Sequence, residues 1–182
     1  SVVRVGSNPL KKISWESNTF PGIVDYSFSG MQSQDNDVEI IAGCNLFISN
    51  GGGPAGIAVA SRRNMIIINL TPILDDLLEI GHYFGIWIPK LIRSKSTNDY
   101  ISIREAVDLG IARTYEGTDF EEAGVYLEEN TSDEILNTLK DYHSFINNRF
   151  TSEERILIDK YRVVRKQIEV DLNLPNKNVD NF

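Results

Sequence analysis

The stretch Asn50-Gly51-Gly52-Gly53-Pro54 has residue types that fit a definite chemistry, the binding of phosphate or pyrophosphate. Leu46 to Ser49 reads as a buried strand running into it. The glycines offer bare backbone that a ligand can approach closely. Pro54 stands where the helix is expected to begin, at its first position, where its missing N–H costs nothing, and Ala55 to Ser61 continue that helix with small residues. The first-turn N–H groups and the positive end of the helix dipole would then face the anion. The plainer alternative is a strand-to-helix turn that needs positive φ. Three glycines in a row exceed what one tight turn requires.

Other side chains are candidates by position. Asp25 and Tyr26 end a short strand, near where Gly6 and the glycine loop are expected to converge. In parallel sheets ligands lie at the carboxyl ends of strands, so Asp25 is a candidate to orient a ribose or sugar hydroxyl, or simply a carboxylate that caps a turn. Asn69 and Thr71, followed by Pro72, close the next strand and are candidate sugar contacts. Glu79, His82 and Tyr83 fall in a poorly patterned segment. His82 is a weak candidate base, since a lone histidine is more often structural. Glu128 and Glu129 precede a capped helix and fit a solubility or dipole role. Asp35-Asn36-Asp37 reads as a solvated loop. His82 and His143 lack metal-ligand spacing, so no metal site is expected. Cys44 is the only cysteine; it excludes an intrachain disulfide and reads as a core residue.

Elements must position these groups. Val2 to Val5 and Gly22 to Tyr26 read as short strands, with a polar loop over Ser7 to Phe20 between them. Gln32 to Asp37 reads as another polar loop, and Val38 to Gly43 as one or two helical turns. Met65 to Leu70 is an apolar run typical of a parallel strand covered on both faces. Strand, helix and strand here make a βαβ unit. Leu74 to Phe84 reads as a short helix or lid-like loop. Trp87 to Ile92 reads as one short strand, with Pro89 placing it at an edge or strand end. Ser102 and Glu105 form a capping box, so Ile103 to Leu109 is expected to be helical, with Gly110 as its stop. Val125 to Asn130 reads as a strand. Thr131/Glu134 and Thr151/Glu154 open two further helices, and the Asn-rich tail from Leu174 is expected to fray.

The chain has 182 residues, 41% of them hydrophobic, enough for one α/β domain with an appended helix. The expected division is residues 1–150 as a nucleotide-binding domain and 151–182 as a helix and tail. The formal net charge of −8 argues against nucleic acid or an anionic membrane as partner, because phosphate backbones need a Lys/Arg surplus. A small anion needs only a helix terminus or one arginine. No apolar run approaches a membrane span and no signal peptide is evident, so a cytoplasmic setting is expected.

Taken together and in order, several segments resemble a known family. They are Arg4-Val-Gly6, Gly22 to Ser27, the Phe47-Ile-Ser49-Asn50-Gly-Gly-Gly-Pro54 loop, Ile67 to Pro72, Ile88-Pro-Lys90, Ser102 to Glu105, and Val125 to Ile135. The set is similar to the C-terminal half of GT-B glycosyltransferases tied to bacterial surface polysaccharide. The heptosyltransferase-like members carry a comparable loop, although they often have an acidic residue or hydroxyl where this chain has glycine. The resemblance implies a Rossmann-like parallel sheet with helices on both faces and C-terminal helices, one half of the GT-B fold. It implies that a nucleotide-sugar donor sits on this half, with its diphosphate against Gly51, Gly52 and Gly53 and against Arg4 at a strand end. Leaving-group charge would be stabilised by arginine and helix dipole without metal or other cofactor. The glycan acceptor would be held by an N-terminal domain outside this chain, which on its own would be inactive. A nucleotide-sugar 2-epimerase-like enzyme and a non-catalytic nucleotide- or partner-binding domain are the alternatives.

Overall fold

The computed structural model describes residues 1–6, 11–13, 21–73 and 85–147, and residues 151–153, 155, 156, 159, 160, 163, 167 and 170. The chain is α/β, with parallel strands in small sheets flanked by helices, compatible with a Rossmann-like fold. It forms two compact units. One comprises Ser1–Phe47 with Gly51–Asn64, the other Ile48–Asn50 with Met65–Phe182.

In the first unit, β1 (Val2–Arg4) and β2 (Ile23–Asp25) pair in parallel, with Arg4 opposite Asp25 at their carboxyl ends. A 3-10 turn, Tyr26–Phe28, follows β2. Helix α1 spans Gln34–Gly43, so it begins before the expected Val38. Its first turn is wholly polar and gives no apolar period. The start is set instead by Ser33, whose hydroxyl accepts the Asn36 N–H at 3.1 Å, with Asp35 and Asp37 favourably placed at the positive end of the helix. Strand β3 (Leu46–Ser49) leads into the glycine loop, and α2 spans Gly53–Ala60 and packs against α1. Tyr26, Ile41, Phe47 and Ala58 are buried.

In the second unit the end of β3, β4 (Asn64–Leu70) and β5 (Gly85–Pro89) form a three-stranded sheet in the order β3-β4-β5, with β4 and β5 parallel. Met65, Ile66 and Ile67 are buried in succession, which requires cover on both faces of β4. Gly85 pairs with Met65; a Cβ there would lie 2.4 Å from the Met65 carbonyl oxygen. The expected single strand over Trp87 to Ile92 is two. It breaks at Lys90, and β6 (Leu91–Ser94) leaves the parallel sheet to pair antiparallel with β7 (Val125–Glu128). Between them lie α3 (Ile103–Asp108) and α4 (Gly117–Glu122), the latter without a forecast in the sequence reading. Ile73, Ile92, Ala106, Ile111, Phe120 and Val125 form the core here.

Helix α5 spans Ser132–Ile146. Two of the three expected capping boxes form, and the third, Thr151/Glu154, involves Glu154, which lies outside the described residues. Glu105 accepts from the Ser102 N–H and hydroxyl, and Glu134 accepts from the same groups of Thr131. The described residues from 152 onward are helical. Expectations for 7–10, 14–20, 74–84 and the tail beyond 170 lie outside the described residues.

Candidate functional site

The glycine loop is built as a strand-to-helix connection. Ser49 ends β3 and Asn50 begins the loop. Gly51 has φ +95° and Gly52 has φ +83° with ψ −173°. The Gly52 conformation is one that only glycine adopts without strain. Gly53 is the first residue of α2 and Pro54 the second. Gly52 occupies the N-cap, so no side chain caps the helix, although its carbonyl accepts the Ala55 N–H at 3.1 Å. In α1 and α3 a serine hydroxyl meets the N–H of the third helical residue; in α2 the Gly52 carbonyl meets it and Pro54 brings no N–H, which leaves the Gly53 N–H, of the first three residues, as the candidate donor to a ligand. A Cβ on Gly51, Gly52 or Gly53 would meet no atom of the described residues within 4 Å. Glycine is demanded by conformation at positions 51 and 52. At Gly53, neither its helical conformation nor any atom of the described residues demands it.

A second cluster lies at the carboxyl ends of β1 and β2. Arg4 grips Asp25 through two parallel hydrogen bonds, Nε to Oδ1 and Nη2 to Oδ2, both 2.8 Å. The remaining Arg4 Nη1 donates to the Lys11 carbonyl at 3.0 Å, and the Ile13 N–H donates to Asp25 at 3.0 Å. The guanidinium lies 5.4 Å from the centre of the Phe28 ring. Burial pushes the Asp25 carboxyl up, but the Ile13 N–H and Arg4 outweigh it and hold it below the usual carboxylate range. Tyr26 is buried; its hydroxyl donates to the Met31 carbonyl and accepts the Ser33 N–H, fixing the entry to α1. Gly6, two residues beyond Arg4, has φ +139°. Arg4 and Asp25 are thus together, already bound to one another.

Asn69 and Thr71 lie at the end of β4, in the second unit. Asn69 adopts φ +52° and exchanges hydrogen bonds with Asn130. Thr71 Oγ1 is shielded from solvent without a hydrogen-bond partner among the described residues. Asn130 was not singled out by sequence reasoning. It ends a strand-like run before a capping box, and nothing local announces a partner at position 69.

The remaining candidates have ordinary surroundings or none described. Glu128 pairs with Arg93, and Glu129 with Lys90 at 3.3 Å, so these glutamates tie β7 to β6 and its entry. Cys44 caps the end of α1, and burial pushes its thiol up, away from reactivity. Glu79, His82 and Tyr83 lie outside the described residues. Among the described residues no cluster of His, Cys, Asp and Glu is arranged to hold a metal, and no helix is long and apolar enough to cross a membrane. No family model, curated protein or solved structure matches the chain.

Proposed function

We propose that this chain is the donor-binding domain of a glycosyltransferase that takes a sugar from a nucleotide-sugar, in the cytoplasm, and passes it to a glycan acceptor of the surface-polysaccharide type. The observation that carries this reading is the strand–glycine loop–helix connection at Ser49 to Pro54. Its N-cap has no side chain, and a Cβ on its Gly53 would meet no atom of the described residues. A diphosphate is the group such a loop suits: it is anionic, needs close backbone approach and accepts from first-turn N–H groups. The same donors would stabilise the charge that grows on the leaving diphosphate as the glycosidic bond breaks. Arg4 would join only by exchanging Asp25 for the diphosphate, so the loop supports the reading more than the arginine does. The acceptor and the groups that deprotonate it are assigned to another domain.

Calorimetric titration of the chain with UDP, GDP, CDP and ADP, each in EDTA and in excess Mg²⁺, tests this reading. Binding of at least one nucleotide without a metal requirement is expected. No heat with any of the four at millimolar concentration would overturn it.

A further inference from the structure

Asn50-Gly51 is the one place in the chain where asparagine directly precedes glycine. The side-chain carbonyl carbon of an asparagine lies within reach of the next residue's backbone nitrogen. Attack of that nitrogen closes a five-membered ring, which a side chain on the following residue ordinarily obstructs. Glycine removes the obstruction. At Gly51 a Cβ would meet no atom of the described residues within 4 Å. Asn50 follows β3 and is exposed, and its amide makes no hydrogen bond among the described residues. The amides of Asn36, Asn69, Asn130 and Asn147 are each held by a hydrogen bond. Asn50 therefore combines the permissive neighbour with an unheld side chain. The reaction needs only the two residues that share this peptide bond.

We propose, resting on the donor-site reading above, that Asn50 is a self-modification site that closes the glycine loop to anions as the protein ages. The Gly51 nitrogen gives its proton to solvent and bonds to Asn50 Cγ. The bond from Cγ to Nδ2 breaks, and the amide nitrogen takes a proton from water and leaves as ammonia. Water then opens the ring at either carbonyl. One opening gives aspartate. The other gives isoaspartate, whose main chain runs through the former side chain and is one carbon longer. Water is the only co-reactant, and nothing is oxidised or reduced. Either product sets a new carboxylate beside Gly51, and isoaspartate also alters the backbone leading into the loop. A negative charge there opposes a diphosphate held by Gly51 to Gly53.

The test incubates the full chain at mildly alkaline and mildly acid pH. Peptide mapping by mass spectrometry follows each asparagine over time, alongside circular dichroism and titration with the nucleoside diphosphate that fresh protein prefers. Asn50 should convert to a mixture of aspartate and isoaspartate ahead of Asn45, which is also exposed but precedes leucine. Alkali should speed the conversion, because the attacking nitrogen must lose its proton. Converted protein, separated by charge, should bind diphosphate about tenfold more weakly than unconverted protein from the same incubation, with helical circular dichroism unchanged. Asn50→Gln, whose longer side chain closes a ring poorly, should keep whatever affinity it starts with throughout. If that variant does not fold, the two wild-type fractions decide the matter. Conversion of Asn50 no faster than Asn45, or a converted fraction that binds as well as the unconverted one, overturns the inference while the donor reading stands. If fresh protein binds no nucleotide, the donor reading falls and takes the closing of the loop with it, and the mass record still decides whether Asn50 converts.

Discussion

At the scale of single residues, Gly52 and Gly53 separate conformation from ligand. Gly52→Ala should destabilise the protein by about 1–3 kcal/mol, because its backbone occupies a region open only to glycine. Gly53→Ala should instead stabilise it by about 0.4–1 kcal/mol, since residue 53 is helical and a methyl group there meets no atom of the described residues. The same Gly53→Ala should weaken diphosphate binding if the loop is the anion site. Urea unfolding and titration of both variants would read these opposite signs; a Gly53→Ala that loses stability would show that the loop is packed differently. Arg4 and Asp25 make a second residue-scale case. Because Asp25 holds Arg4 in a bidentate grip, Asp25→Asn should release positive charge and tighten diphosphate binding. Arg4→Ala should weaken it about tenfold, with nucleoside affinity unchanged. Equal losses for nucleoside and diphosphate would refute this assignment of charge. The pairing was not legible in the sequence. Arg4 and Asp25 are 21 residues apart, and only the parallel register of β1 and β2 sets them side by side.

At the scale of elements, strands and helices were legible where a short-range signal existed. The apolar run of β4, the glycines before α2 and the capping boxes of α3 and α5 each carry their cause within a few residues. The start of α1 was misplaced because Gln34 to Asp37 give no apolar face and the Ser33 cap was overlooked. The split of Trp87 to Ile92 escaped notice because β6 turns away only to meet β7, a partner more than thirty residues on. The capping boxes also make the helices sensitive to acid. Hydrogen bonds from the Ser102 and Thr131 N–H and hydroxyl groups hold Glu105 and Glu134 below the usual carboxylate range. A carboxyl with a depressed pKa in the folded protein contributes stability above its ordinary value and loses it as the pH falls through the lower, folded value. Thr131→Ala should therefore cost about 1 kcal/mol at neutral pH and somewhat less at pH 2–3, where a protonated Glu134 gives up its share while the hydroxyl's cap of the Glu134 N–H does not titrate. Parallel denaturation curves of wild type and variant at the two pH values check this; a cost independent of pH would mean that the carboxylate is not part of the cap.

The whole molecule carries a formal net charge of −8 and a pI of about 4.8. Approaching that pH from above, repulsion between copies vanishes while the depressed carboxylates of the caps are still ionised. Turbidity should thus peak near pH 4.8 with helical circular dichroism intact, and helix should be lost only at lower pH. Simultaneous loss of helix and solubility would contradict this order. The two compact units explain why composition and motif order suggested an α/β class but not its subdivision. The glycine loop belongs largely to one unit and the candidate end of β4 to the other, and no local signal marks that boundary.

Gly85 and Gly53 lead to a contrast that selection would reveal. At position 85 any side chain would be driven against the Met65 carbonyl, so a saturation library screened only for folded protein should retain glycine there and reject even alanine. At position 53 the same screen should accept many residues. Passed through a second screen for nucleotide capture, the library should narrow at Gly53 and remain unchanged at Gly85. One glycine would then be kept by the architecture of the sheet and the other by the task of the loop.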